Sequence, residues 1–217
     1  MKFVQPWSAL LVALLLVPFA VRGATPATSQ VVQVTGLVPP LAFTMTDTST
    51  NKTVTAADFH GKVVMLYFGY TNCPDVCPDT LYKVHQLYQK LGAAADKTVF
   101  LFVTVDPVRD TQPVLAKYLT LFDPHFSGLR GSANQIYQLT RRYRVVASVH
   151  PSPDPQKYAV VHSALIYVFG PHGNARMIIP DLGLNQHPDY AELTKRIEIL
   201  ANTPQPSGLL TWLARLG

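Results

Sequence analysis

With 217 residues, of which 48% are hydrophobic and only 14% charged, the chain has material for one sizeable core and is not a disordered polyelectrolyte. The formal charge of +5 is mild, falls by two if Lys2 and Arg22 leave with an N-terminal segment, and includes no block of basic residues. These features argue against nucleic acid as a partner.

The chain opens with Met1-Lys2, an uncharged and largely apolar stretch over residues 3–21, then Arg22-Gly23-Ala24. One positive charge, an apolar centre of roughly a dozen residues and small residues after it match a secretory signal with a cut after Gly23. The uncharged stretch also approaches the roughly 20 residues that span a bilayer, so residues 1–23 are expected to be a signal peptide or an N-terminal membrane anchor. In either case the folded part lies outside the cytoplasm, where paired thiols can oxidise. No long Arg- and Ser-rich transit sequence precedes the apolar run, so the expected location is a bacterial periplasm, with the domain soluble or anchored to the inner membrane. Residues 24–40, rich in Thr, Ser, Gln, Val and Pro, read as a linker; 41–203 form the domain; and 204–217 are a tail, apolar but too short to cross a membrane.

Within the domain, residues 41–45 and 52–54 flank an Asp/Thr/Ser/Asn cluster and predict a short hairpin. Residues 62–68 are a continuous apolar run of strand length, as expected of a central strand covered on both faces. Leu81, Val84, Leu87, Tyr88 and Leu91 recur at helical spacing before Gly92. A second apolar run, 99–105, closes on Asp106-Pro107. A helix over about 112–121 follows, with Asp110 or Thr111 as cap and Pro113 in its first turn. Residues 132–143 predict another helix. Residues 158–169 and 176–179 predict a strand pair joined by Gly170-Pro171-His172-Gly173-Asn174, and 188–201 a last helix. Strands alternating with helices and closed by a hairpin define an α/β, thioredoxin-like three-layer fold with a mixed central sheet and an N-terminal hairpin extension, enlarged by insertions around 123–155.

Both cysteines lie within five residues, in Phe68-Gly69-Tyr70-Thr71-Asn72-Cys73-Pro74-Asp75-Val76-Cys77-Pro78. On the first turn of a helix, C-x-x-x-C puts residues i and i+4 on one face, close enough to share a metal ion or close a disulfide. A structural staple explains little, because closing about five residues contributes only about 2 kcal/mol. Thiol-disulfide exchange at a helix N-terminus is a second reading, although dedicated redox proteins of this fold usually carry two intervening residues and here there are three. Metal binding is the third: two thiolates with one imidazole make a soft trigonal site suited to copper as Cu(I) or Cu(II). Peroxide handling through a sulfenic acid has no distinctive support in the motif.

Of the seven histidines, His85 stands eight residues beyond Cys77, about 12 Å along a helix. His60, His125 and His172 fall in predicted turns, His150 in a predicted loop and His187 beside the last helix. Only His162 interrupts an apolar strand, where a packed core histidine and a ligand are both open readings.

Taken together, the Gly-Tyr-Thr-Asn-Cys-Pro-Asp-Val-Cys-Pro block, Asp58-Phe59-His60-Gly61-Lys62 before the strand, Val105-Asp106-Pro107-Val108-Arg109-Asp110-Thr111 and Val161-His162-Ser163 resemble the Sco/SenC copper-binding proteins that assist assembly of the copper centre of cytochrome c oxidase. The resemblance implies a copper metallochaperone, not an enzyme in the turnover sense, with Cys73, Cys77 and His162 as metal ligands. It implies Cys73 and Cys77 as a redox-active disulfide in the alternative, a thiol-disulfide oxidoreductase serving a copper-accepting partner. The implied partner is the copper-accepting subunit of cytochrome c oxidase, with another copper chaperone or a thiol-disulfide reductase as further candidates. Asp106 and Arg109 read equally well as a turn and helix cap and are left out of the site. Two positions depart from the family pattern: Asn72, where members often carry His, and Val161, where they often carry Asp. Such outer groups tune metal affinity.

Overall fold

The computed structural model describes residues 31–154, 157–180, 182–183 and 186–204. The expected signal or anchor segment and most of the C-terminal tail lie outside the described residues. Among the described residues no helix is long and apolar enough to cross a membrane.

The centre of the molecule is β4 (Val63–Gly69), whose seven residues are all buried. A strand without an exposed face must have layers above and below it. It pairs in parallel with β5 (Thr98–Thr104), which pairs in parallel with β6 (Phe126–Arg130). On its other side β4 pairs antiparallel with β9 (Ile166–Phe169), followed by β10 (Ala175–Ile179) and the two-residue β1 (Val32–Gln33). The hairpin of β2 (Thr44–Asp47) and β3 (Thr53–Thr55) joins the far edge through β6. The result is an eight-stranded mixed sheet in the order β1-β10-β9-β4-β5-β6-β2-β3.

The parallel β4-β5-β6 run needs crossover connections, and α1 (Val76–Tyr88) and α2 (Gln112–Thr120) supply them. Both lie on the face to which Tyr67 and Phe102 point: the Tyr67 hydroxyl reaches Cys77 on α1, and the ring of Phe102 meets that of Tyr118 on α2. α4 (Tyr190–Ala201) docks beside α1, where the Tyr190 hydroxyl donates to Gln86 Oε1 at 2.5 Å. The opposite face is covered by α3 (Ala133–Arg142), after which Tyr143 packs on Phe68, Tyr167 and Phe169. Ser132 caps α3 by accepting from the Gln135 backbone N–H, while the Gln135 side chain accepts from the Ser132 N–H.

The structure corrects several sequence expectations. The predicted strand over 158–169 is two strands: β8 (Ala159–His162) pairs with β7 (Ala147–His150) in a separate ribbon, and only β9 belongs to the main sheet. His150, expected in a loop, ends β7. β6, inside the expected insertion, is a strand of the central sheet, and β1 lies within the expected linker. α1 starts at Val76, so Cys73 precedes the helix and the two cysteines do not share a helical face. Of the two expected caps of α2, Thr111 occupies the N-cap position and Pro113 lies in the first turn, as expected.

Candidate metal centre

The site lies at the carboxyl end of β4, the end of a parallel sheet where α/β proteins hold ligands. Gly69 ends the strand, and the Cys73 N–H turns back to the Tyr70 carbonyl at 3.3 Å. The loop is fixed from below by Asp110, which is completely buried. Its carboxylate accepts from the Thr71 N–H, from Thr71 Oγ1 at 2.6 Å and from Thr104 Oγ1 at 2.6 Å. Burial nonetheless holds the Asp110 pKa above the ordinary value.

Cys77 follows as the second residue of α1, with Pro78 in the first turn, where a missing N–H costs nothing. Its thiol is fully buried, Cys73 is 9% exposed, and His162 at the end of β8 is partly exposed. Sγ of Cys73, Sγ of Cys77 and a ring nitrogen of His162 all lie within 4.8 Å of one another. His162 Nε2 is 3.3 Å from Cys77 Sγ, across 85 residues of sequence. The other ring nitrogen, Nδ1, is 3.3 Å from the Ser163 carbonyl oxygen. Nδ1 faces that acceptor and Nε2 faces the thiols, so Nε2 is the nitrogen placed to bind a metal. The imidazole stands edge-on to Tyr67 and Tyr70, with centroids at 6.1 and 5.7 Å. The Tyr67 hydroxyl donates to Cys77 Sγ at 3.5 Å.

The two thiols are unbonded to each other and electrostatically unequal. A hydrogen bond from the Cys77 side chain, one from His162 and the backbone N–H groups of Cys77 and Asp75 at the helix start hold the Cys73 thiol far below its ordinary pKa. Burial, and then the negative charge on Cys73, push Cys77 up. Cys73, the less deeply buried thiol, is therefore the readily ionised one. Two thiols, one of them readily ionised, and an imidazole converging on one point are a soft donor set for a thiophilic, imidazole-tolerant metal. Among the described residues no other cluster of at least three His, Cys, Asp or Glu has ligand atoms this close together.

The remaining histidines stand apart from this cluster. His85 and His125 are each bonded through Nδ1 to Asp123, at 2.8 and 2.7 Å. Asn72 is exposed, and Val161 is half exposed and paired with Ser148, on the ribbon face that strand alternation turns away from His162. Sequence reasoning missed the Tyr67 and Tyr70 walls and the Asp110 anchor. Tyr67 read as a core aromatic of an apolar run, Tyr70 only as part of the cysteine motif, and Asp110 as a candidate helix cap.

An eight-stranded mixed sheet with a Cys-x-x-x-Cys loop leading into α1 defines a thioredoxin-like domain whose thiols face an imidazole. Residues 40–198 match the SCO1/SenC family model. The chain belongs to the SCO1/SenC family. It is 48% identical over 119 residues to the mitochondrial SCO2 homolog of Bos taurus, covering 54% of this chain and 45% of that protein. It is 37% identical over 129 residues to the human mitochondrial SCO1 homolog, covering 58% and 42%. The chain thus spans about half the length of the curated relatives it matches. Among solved structures, Bradyrhizobium japonicum ScoI with copper bound is similar at a TM-score of 0.67 and 34% identity, over 74% of this chain and 98% of that one. Yeast Sco1 with copper bound follows at 0.65 and 32%, over 78% and 92%.

Proposed function

We propose that the protein is a copper metallochaperone. It holds one copper ion through Cys73, Cys77 and His162 and passes it to the copper-accepting subunit of cytochrome c oxidase, working in the periplasm through a domain spanning about 41–203. The observation that carries this reading is the convergence of two thiols and one imidazole within 4.8 Å, in a chain similar to proteins solved with copper bound. Cys77 forms the fully buried floor of the site, Cys73 keeps 9% exposure and His162 is partly exposed. An acceptor can therefore displace the two outer ligands first and the buried thiolate last, and the ion need never be free. Loading requires deprotonated thiols and a neutral imidazole, so copper uptake releases protons and competes with oxidation of the pair.

A second reading follows from the unequal thiols. In it the Cys73 thiolate attacks a disulfide of the acceptor and releases one acceptor thiolate. Cys77 then attacks Cys73 Sγ, releases the second acceptor thiolate and leaves Cys73 and Cys77 joined. The pair supplies two electrons, and an external dithiol restores it.

Metal analysis of the reduced protein separates the readings. Near-stoichiometric copper in the native sequence, lost in Cys73→Ala and Cys77→Ala and much weakened in His162→Ala, is the expected result. Negligible copper together with catalytic reduction of a partner disulfide would favour the oxidoreductase reading.

A further inference from the structure

The ligands come from two parts of the chain that the central sheet does not hold in register. The cysteine loop follows β4, but His162 ends a strand of the separate β7-β8 ribbon, whose residues are largely exposed. A cluster beside the site joins the two. Arg109 is bonded through Nε to Asp106 Oδ2 at 2.5 Å and donates from Nη1 to the Tyr158 carbonyl at 2.8 Å. Its guanidinium carbon stands 3.6 Å from the centroid of the Tyr158 ring and 5.6 Å from that of Tyr70. The Tyr158 hydroxyl donates to Asp106 Oδ1 at 2.5 Å. Asp106 is 3% exposed and the Arg109 side chain 9%. Tyr158 lies four residues before His162 on the chain that forms the ribbon. Tyr70 lies three residues before Cys73, and its ring stands edge-on to the His162 imidazole.

A turn and helix cap at the end of β5 accounts for Asp106, which also faces the Arg109 N–H at 3.4 Å. It does not account for a guanidinium set over the Tyr158 ring and bonded to the Tyr158 carbonyl, on the chain that leads to His162. We propose that Arg109, oriented by Asp106, is a positioning residue that braces the His162 strand against the cysteine loop and sets where Nε2 stands over the two thiols. The proposal rests on Cys73, Cys77 and His162 being the copper ligands. A planar, always-charged group suits this role: it pairs with the carboxylate in its own plane while its faces meet the tyrosine rings, which an ammonium cannot do.

The test uses the full chain, reduced, with copper alone as probe. Cu(I) affinity is measured by competition with a chelator, and the Cu(II) electron paramagnetic resonance spectrum is recorded after loading with Cu(II). Arg109→Met is expected to keep near-stoichiometric copper but bind it about 10- to 100-fold more weakly, the range for loss of a group that orients a metal-binding histidine. Its Cu(II) spectrum should shift towards that of His162→Ala. Arg109→Lys should recover only part of the loss. In a His162→Ala background, Arg109→Met should weaken binding no further, because the brace acts through the imidazole. Wild-type affinity and spectrum in Arg109→Met, or an equal loss with and without His162, would overturn the brace. Should Arg109→Met fail to fold, Tyr158→Phe carries the test: it keeps the ring and removes the hydroxyl on Asp106, and an affinity and spectrum unchanged from wild type would overturn the proposal. Wild-type affinity in His162→Ala would instead sink the three-ligand reading and the brace with it, whereas a weakened His162→Ala beside an unaffected Arg109→Met sinks the brace alone.

Discussion

Gly69 ends β4 without a side chain because the space beside it is already taken. A Cβ there would lie 2.7 Å from Phe102 Cζ and 2.9 Å from Cys77 Sγ, closer than packed atoms tolerate, and Phe102 is fully buried. Gly69→Ala should therefore cost about 1–3 kcal/mol of stability through overpacking, read by urea denaturation. It should also displace the Cys77 sulfur and weaken copper binding. Unchanged stability would mean that the Phe102 ring gives way freely. At this scale the site was half legible. Cys73 and Cys77 stand out as the only thiols, and His162 as a polar interruption of an apolar strand. Tyr67, Tyr70 and Asp110 do not stand out, because only the folded chain brings the two tyrosine rings to the His162 imidazole and the Asp110 carboxylate to the loop that leads to Cys73.

Among the elements, the edge hairpin depends on one carboxylate. Asp47 closes β2 and accepts hydrogen bonds from the Ser49 N–H and hydroxyl, the Thr50 N–H and hydroxyl, and the Ser127 hydroxyl of β6. Burial alone would push its pKa up, but the Ser127 and Ser49 hydroxyls and the Thr50 and Ser49 N–H groups outweigh it and hold the carboxyl below the ordinary value. A carboxyl depressed in the folded state stabilises the fold fully above its unfolded pKa of about 3.9, and that contribution disappears as pH falls through the lower folded value. Asp47→Asn should thus be less stable than the native sequence at pH 7, by about 1–3 kcal/mol. The gap should close below about pH 4 in denaturation series at pH 7, 4 and 3; a gap independent of pH would contradict this. The elements that sequence periodicity revealed, β4, β5 and the helices, are those with long apolar patterns. β6 escaped because Gly128 breaks its pattern, and Gly128 is there because a Cβ would meet Leu115 Cγ of α2 at 2.9 Å and Thr48 Oγ1 at 2.5 Å. The break between β8 and β9 escaped because the run up to Phe169 is apolar on both sides of it. Ser163, however, still belongs to the ribbon, exchanging backbone and hydroxyl bonds with Val146 at 3.0 Å.

The molecule as a whole sets a rigid cysteine loop, rooted in a fully buried strand, against an imidazole on a peripheral ribbon. The central claim is that these three side chains hold the metal together. X-ray absorption at the copper edge, on the reduced and copper-loaded full chain, tests it most directly. The account predicts two sulfur neighbours and one imidazole nitrogen, with the nitrogen lost and both sulfurs kept in His162→Ala. An unchanged nitrogen contribution in that variant, or copper without sulfur neighbours in the native sequence, would contradict it.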